Sequence, residues 1–124
     1  MCKTVHTDAA PAAIGPYSQA VVAGNLVFTS GQIPIDPATG HVEADGIQAQ
    51  AEQVMRNLGQ VLKAAGSDYT KAVKTTCLLA HMADFAAFNE VYGRYFTSKP
   101  ARSCVAVKDL PKGVLVEVEV VAEI

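Results

Sequence analysis

From Leu115 to Val121 the chain reads Leu-Val-Glu-Val-Glu-Val-Val, and this stretch restricts the fold more than any other. Side chains alternate along an extended strand, so Val116, Val118 and Val120 share one face and Leu115, Glu117, Glu119 and Val121 the other. A strand with one wholly apolar face needs a second layer to cover it. Its other face is too apolar to be left wet and too charged to be buried without a task. A second alternating run sets Ser103, Val105 and Val107 against Arg102, Cys104 and Ala106.

Upstream, Tyr17 to Ala23 and Leu26 to Gly31 read as two strands joined through Gly24-Asn25, a two-residue hairpin signal. Residues 32–45 hold Pro34, Pro37 and Gly40 and read as a loop, with a turn at Thr39-Gly40. Ile47, Ala51, Val54, Met55, Leu58, Val61, Leu62 and Ala65 then recur at helical spacing. Asp45 and Gln48 are placed as a capping pair, and Gly66 as the stop. Val73 to Leu79 is strand-like. A second helix starts near Asp84, carries Phe85, Phe88, Tyr92, Tyr95 and Phe96 on one face, and ends by Pro100. The order β-β-α-β-α-β-β predicts one α+β domain over residues 1–124, a mixed sheet with two helices on one face. The valines are expected beneath the helices. Arg102, Cys104 and Glu117 are expected together on the opposite face, among Leu115 and Val121, where another subunit would cover them.

Composition sharpens the expectation of an oligomer. Half of the 124 residues are hydrophobic and 18% are charged, more apolar than so small a monomer readily hides. The net charge of −2 with scattered Lys and Arg disfavours a nucleic-acid partner, whose affinity comes from clustered cations. No apolar run is long enough for a membrane helix, and the start has no apolar leader core. Cys2, Cys77 and Cys104 are odd in number and widely spaced, which suits free thiols and a cytoplasmic setting.

Few residues are candidates for chemistry. Arg102 within an apolar strand suits two-point recognition of a carboxylate, because the planar guanidinium matches two oxygens. A structural pair with Glu117 or Glu119 explains it equally well. Glu117 amid valines is costly unless it has a partner or a role; burial would raise its pKa and suit it to positioning a water or relaying protons. The alternative is an inward charge guarding an edge strand, and Glu119 is assigned that lesser role. Cys104 reads first as a small hydrophobe and only second as a nucleophile, since no histidine is near it in sequence. The Cys and His spacings match no metal site, and no Gly-rich phosphate loop is present, so neither metal nor cofactor is expected. Tyr17 could offer its hydroxyl to a pocket, or simply pack.

Two longer segments go beyond pattern. Ala10-Pro-Ala-Ala-Ile-Gly-Pro-Tyr-Ser-Gln-Ala20 followed by Thr29-Ser-Gly-Gln-Ile33 resembles the amino-terminal signature of the RidA (YjgF) family. Pro100-Ala-Arg-Ser-Cys-Val105, Leu110-Pro-Lys-Gly113 and Val116-Glu-Val-Glu119 resemble its carboxy-terminal signature. The resemblance covers nearly the whole chain. It implies a chorismate-mutase-like fold and a homotrimer with a central barrel-like core and ligand clefts between subunits. The activity implied is hydrolysis of the imines derived from 2-aminoacrylate and 2-aminocrotonate to 2-oxo acids and ammonia, without cofactor. Arg102 would grip the substrate carboxylate with help from the Cys104 backbone amide, and Glu117 would orient or activate water. Tyr17, Ser30, Gly31 and Asn89 would line the cleft. A small-carboxylate-binding module without turnover fits the same arginine; a chaperone or ribonuclease role fits the composition less well.

Overall fold

A computed structural model of the chain describes residues 2–124. Six strands form one sheet in the order β1-β2-β3-β6-β4-β5: β1 (Lys3–Val5), β2 (Ala20–Ala23), β3 (Leu26–Thr29), β4 (Ala72–Leu79), β5 (Ala101–Ala106) and β6 (Val116–Glu123). Only β4 and β5 run parallel; every other neighbouring pair is antiparallel. The two helices, α1 (Ile47–Ala64) and α2 (Phe85–Tyr95), supply the crossovers on either side of β4. This is the expected α+β sheet, with β1 added at an edge.

The core lies between the helices and one sheet face. Ala51, Val54, Met55, Leu58, Val61 and Leu62 of α1 are fully buried, and so are Val116 and Val118 of β6 below them. Burial of a valine or leucine side chain stabilises by about 1.5–3 kcal/mol. Gly66, with φ +84°, ends α1 in a Schellman motif: its amide bonds Lys63 O, and the Ser67 amide bonds Leu62 O at 2.8 Å.

The start of α1 departs from expectation. Gly46 is the N-cap and no side chain caps the helix, so Asp45 sits one residue too early to reach the first amides. Gln48 instead donates to Glu90 Oε2 on α2 at 2.9 Å. Tyr17 lies in the turn before β2 rather than inside the strand, and Gly31 lies past the end of β3.

A larger correction concerns the sheet faces. Thr75 pairs with Arg102 and Cys77 with Cys104 across β4 and β5. Directly paired residues share a face, and Thr75 and Cys77 are fully buried toward the helices. Arg102 and Cys104 therefore point to the helix side. Leu78 pairs with Glu117 on β6 and with Val105 on β5, so Glu117 is on the helix-free side. The periodicity misled because both faces of this sheet carry apolar residues. Val105 is the outward member of its strand, 48% exposed, although its chemistry reads as core.

The helix-free face carries Phe28, Leu78, Val105 and Val121 together with Glu117, Glu119 and Lys74. Phe28 and Val105 stand exposed on it.

Candidate functional site

The residues singled out in the sequence fall into two groups, one on each side of the sheet. The first is built around a break in the β3–β6 ladder. Phe28 pairs with Val121, and the next bridge joins Gln32 to Val118, so residues 29–31 oppose only residues 119 and 120. One extra residue on one strand is a β-bulge, a device that re-aims side chains and is frequent at functional sites. Thr29 Oγ1 compensates by accepting the Val120 amide at 3.0 Å. Ser30 is fixed by its own amide to Gln19 O at 2.9 Å and by its hydroxyl to Ser18 O at 2.6 Å.

The bulge brings Gly31 against Glu117. A Cβ on Gly31 would overlap Glu117 Oε2, so the glycine lets the carboxyl end approach this closely and does not serve a left-handed backbone. Glu117 is half-buried and forms no ion pair among the described residues. Burial, reinforced by the nearby Glu119 carboxylate, pushes its pKa above the ordinary glutamate value. Tyr17, Ser30, Gly31 and Glu117 line one cavity of about 340 Å³.

The second group surrounds Arg102. Its guanidinium Cζ stands 4.7 Å from the Tyr92 ring centroid and 5.3 Å from that of Phe85, and Nη1 donates to Asn89 Oδ1 at 2.7 Å. No carboxylate lies within ion-pair distance of it among the described residues, so the pairing with Glu117 or Glu119 is not formed. A cavity of about 480 Å³ opens beside it. Burial raises the Cys104 pKa, against the pull of Arg102, and that of its neighbour Cys77 to about 12. Neither thiol is poised as a nucleophile at neutral pH. The Val107 amide bonds Leu79 O on β4. Amides alternate in direction along a strand, so the Cys104 amide points the other way, to the open sheet edge.

The sheet thus brings Tyr17, Ser30, Gly31 and Glu117 together, and separately Asn89, Arg102 and Cys104. It does not bring the two sets together within one chain. Reading the sequence missed the aromatic support under Arg102, although Phe85 and Tyr92 stood in the aromatic stripe of α2, and it missed the bulge at residues 29–31. Among the described residues, no group of three or more His, Cys, Asp or Glu is arranged to hold a metal, and no helix is long and apolar enough to cross a membrane.

The family model described as Endoribonuclease L-PSP matches residues 7–124. Human 2-iminobutanoate/2-iminopropanoate deaminase is 48% identical over 121 residues, covering 97% of this chain and 88% of that protein. This chain belongs to the RidA (YjgF) family. Among solved structures, RidA of the Antarctic bacterium Psychrobacter superposes with TM-score 0.94 at 45% identity, covering 98% of this chain and 99% of that one. Escherichia coli TdcF with bound serine superposes with TM-score 0.92 at 44% identity, covering 98% of each chain.

Proposed function

We propose that this RidA-family chain is a 2-iminobutanoate/2-iminopropanoate deaminase, converting small 2-imino acids and water to 2-oxo acids and ammonia. The observation that carries the reading is Glu117: a half-buried carboxylate that has no ion-pair partner among the described residues and is held against Gly31 in a cavity. Such a group can take a proton from water at near-neutral pH. The deaminase name borne by the human relative and the serine bound by TdcF both point to small 2-amino-acid-derived ligands.

The site is completed between copies of the chain. Arg102 and Glu117 face opposite sides of one sheet, so a single ligand can touch both only if two subunits contribute. A homotrimer with a barrel-like core would bury the apolar helix-free face and create three such clefts. Arg102 would grip the substrate carboxylate through two parallel N–H bonds, with the Cys104 amide at the same sheet edge. Tyr17, Ser30, Gly31 and Asn89 would shape the walls.

The chemistry needs little more. The protonated imine carbon is already electrophilic. Glu117 accepts a proton as water adds to C2, giving a tetrahedral carbinolamine. Glu117 returns the proton to nitrogen, and ammonia leaves with its bonding pair. The C2 hydroxyl becomes the ketone by giving its proton to the freed Glu117 carboxylate, which passes it to the ammonia as ammonium. No external reductant, oxidant or metal enters this balance. Positioned acid–base catalysis of this kind is worth about 10²–10⁴-fold.

The test uses a threonine dehydratase to generate the enamine and follows 2-oxobutanoate with the wild-type chain and with Glu117→Gln. The amide keeps shape and hydrogen bonding but cannot accept the proton, so turnover should fall by about 10–10³-fold. Calorimetric affinity for 2-oxobutanoate should change much less. A folded Glu117→Gln protein with wild-type turnover overturns Glu117 as the proton acceptor, whereas a wild-type chain that binds 2-oxobutanoate without accelerating its formation is a carboxylate-binding module.

A further inference from the structure

Arg102 is supported more fully than a ligand-binding arginine on an edge strand requires. Tyr92 and Phe85 of α2 both stand against its guanidinium, with Cζ 4.7 and 5.3 Å from their ring centroids. The Tyr92 ring is braced at its hydroxyl and along its faces. Its hydroxyl lies 2.7 Å from Thr75 Oγ1, and Thr75 is fully buried. Its ring also packs against Phe96 and Phe88, with centroids 4.7 and 5.7 Å away. Register explains the arrangement: Thr75 is the β4 partner of Arg102, so anchor and arginine are neighbours on the face that α2 covers.

The ring faces attract the cationic centre of the guanidinium, with Cζ over both rings, and offer its five N–H donors no lone-pair acceptor. Asn89 takes one donor, on Nη1, and this is the one side-chain hydrogen bond of Arg102 among the described residues. The remaining in-plane donors stay available for a carboxylate.

We propose that Tyr92 and Phe85 form a positioning platform that sets the plane of the Arg102 guanidinium before substrate arrives, with Thr75 anchoring Tyr92. This rests on Arg102 being the carboxylate clamp. Neither aromatic residue touches the reacting atoms, so the platform acts on binding and not on the chemical step. A purely structural role for Tyr92 would instead alter stability without a selective effect on carboxylate affinity.

The experiment measures calorimetric affinity for 2-oxobutanoate, saturating turnover in the dehydratase-coupled assay and urea midpoints, on the full-length protein. Removing the ring in Tyr92→Leu should weaken 2-oxobutanoate binding by about three- to thirtyfold, the worth of a partly desolvated cation–π contact. Saturating turnover should stay within about threefold, since the chemical groups are untouched. Tyr92→Phe keeps the ring and should recover most of the affinity. Phe85→Leu, at a half-buried position outside the fully buried core, should weaken binding in the same way and decides the matter if Tyr92→Leu does not fold. Arg102→Lys is the control for the underlying reading and should lose most of the affinity. If Arg102→Lys loses affinity while folded Tyr92→Leu or Phe85→Leu binds like wild type, the platform is overturned and the clamp stands. If Arg102→Lys itself binds like wild type, the clamp is overturned and the platform with it.

Discussion

Replacing Gly31 by alanine tests how the bulge sets the position of Glu117. The added Cβ would overlap Oε2 and lie 2.8 Å from Cδ and 3.0 Å from Cγ of Glu117. Carbon atoms prefer separations of about 3.5–4.0 Å, so the whole carboxyl end must retreat by about 1 Å. A shift of that size in a group that places a water can cost about 100-fold in rate. The stability cost should be smaller. Overpacking a rigid core costs about 1–3 kcal/mol, and a half-buried glutamate beside an open cavity should fall near the lower end. Thermal unfolding should therefore drop by only a few degrees, about 4 °C per kcal/mol for a domain of this length. The coupled 2-oxobutanoate assay reads the rate and a melting curve reads the fold. In the double variant Gly31→Ala/Glu117→Gln, the glycine change should cost little beyond Glu117→Gln alone, because both act through one carboxylate. Wild-type turnover in Gly31→Ala, or full additivity in the double variant, would refute the coupling.

Other consequences concern titration and the thiol. With its pKa raised by burial and by Glu119, Glu117 should give turnover an acid limb above the ordinary glutamate range; Glu119→Gln should move that limb down and Glu117→Gln should remove it. A carboxylate whose folded pKa is raised favours the folded state at low pH, and that contribution is lost as pH rises through the folded value. Glu117→Gln should accordingly be more stable than wild type at neutral pH, with the difference vanishing in acid below the normal carboxylate range; urea midpoints across pH check the sign. Cys104→Ala should keep substantial turnover, since only its backbone amide has a proposed role. Complete loss of activity in a folded Cys104→Ala protein would restore a nucleophilic thiol.

The elements were largely legible because the chain marks them with strong local signals. The α1 stripe, the Gly66 stop and the valine alternation of β6 each reflect a periodicity that burial enforces. The short β1 strand carries no such signal in three residues and was missed. The faces of β5 were the main failure. On an edge strand whose outward side is itself apolar, Val105 and Cys104 give no contrast, and only the register against β4 shows which points inward. The same register separates Arg102 from Glu117, placing on opposite sheet faces two residues that the alternation alone put together. Gly31 stood in a recognisable segment, yet the reason for glycine there is a carboxylate 86 positions away in the chain, visible only once β3 and β6 are paired.

If one cleft takes Arg102 from one subunit and Glu117 from another, subunits that each lack one of the two should complement each other when mixed. Arg102→Lys and Glu117→Gln chains, each nearly inactive alone, would be unfolded together in equal amounts, refolded and assayed for imine hydrolysis. In a cyclic oligomer with random assortment, a cleft has an even chance of an intact arginine on one side and an even chance of an intact glutamate on the other. A shared cleft therefore requires recovery of about one quarter of wild-type activity. Activity that stays at the level of the separate variants, in mixtures shown to contain hybrid oligomers, would contradict the shared cleft.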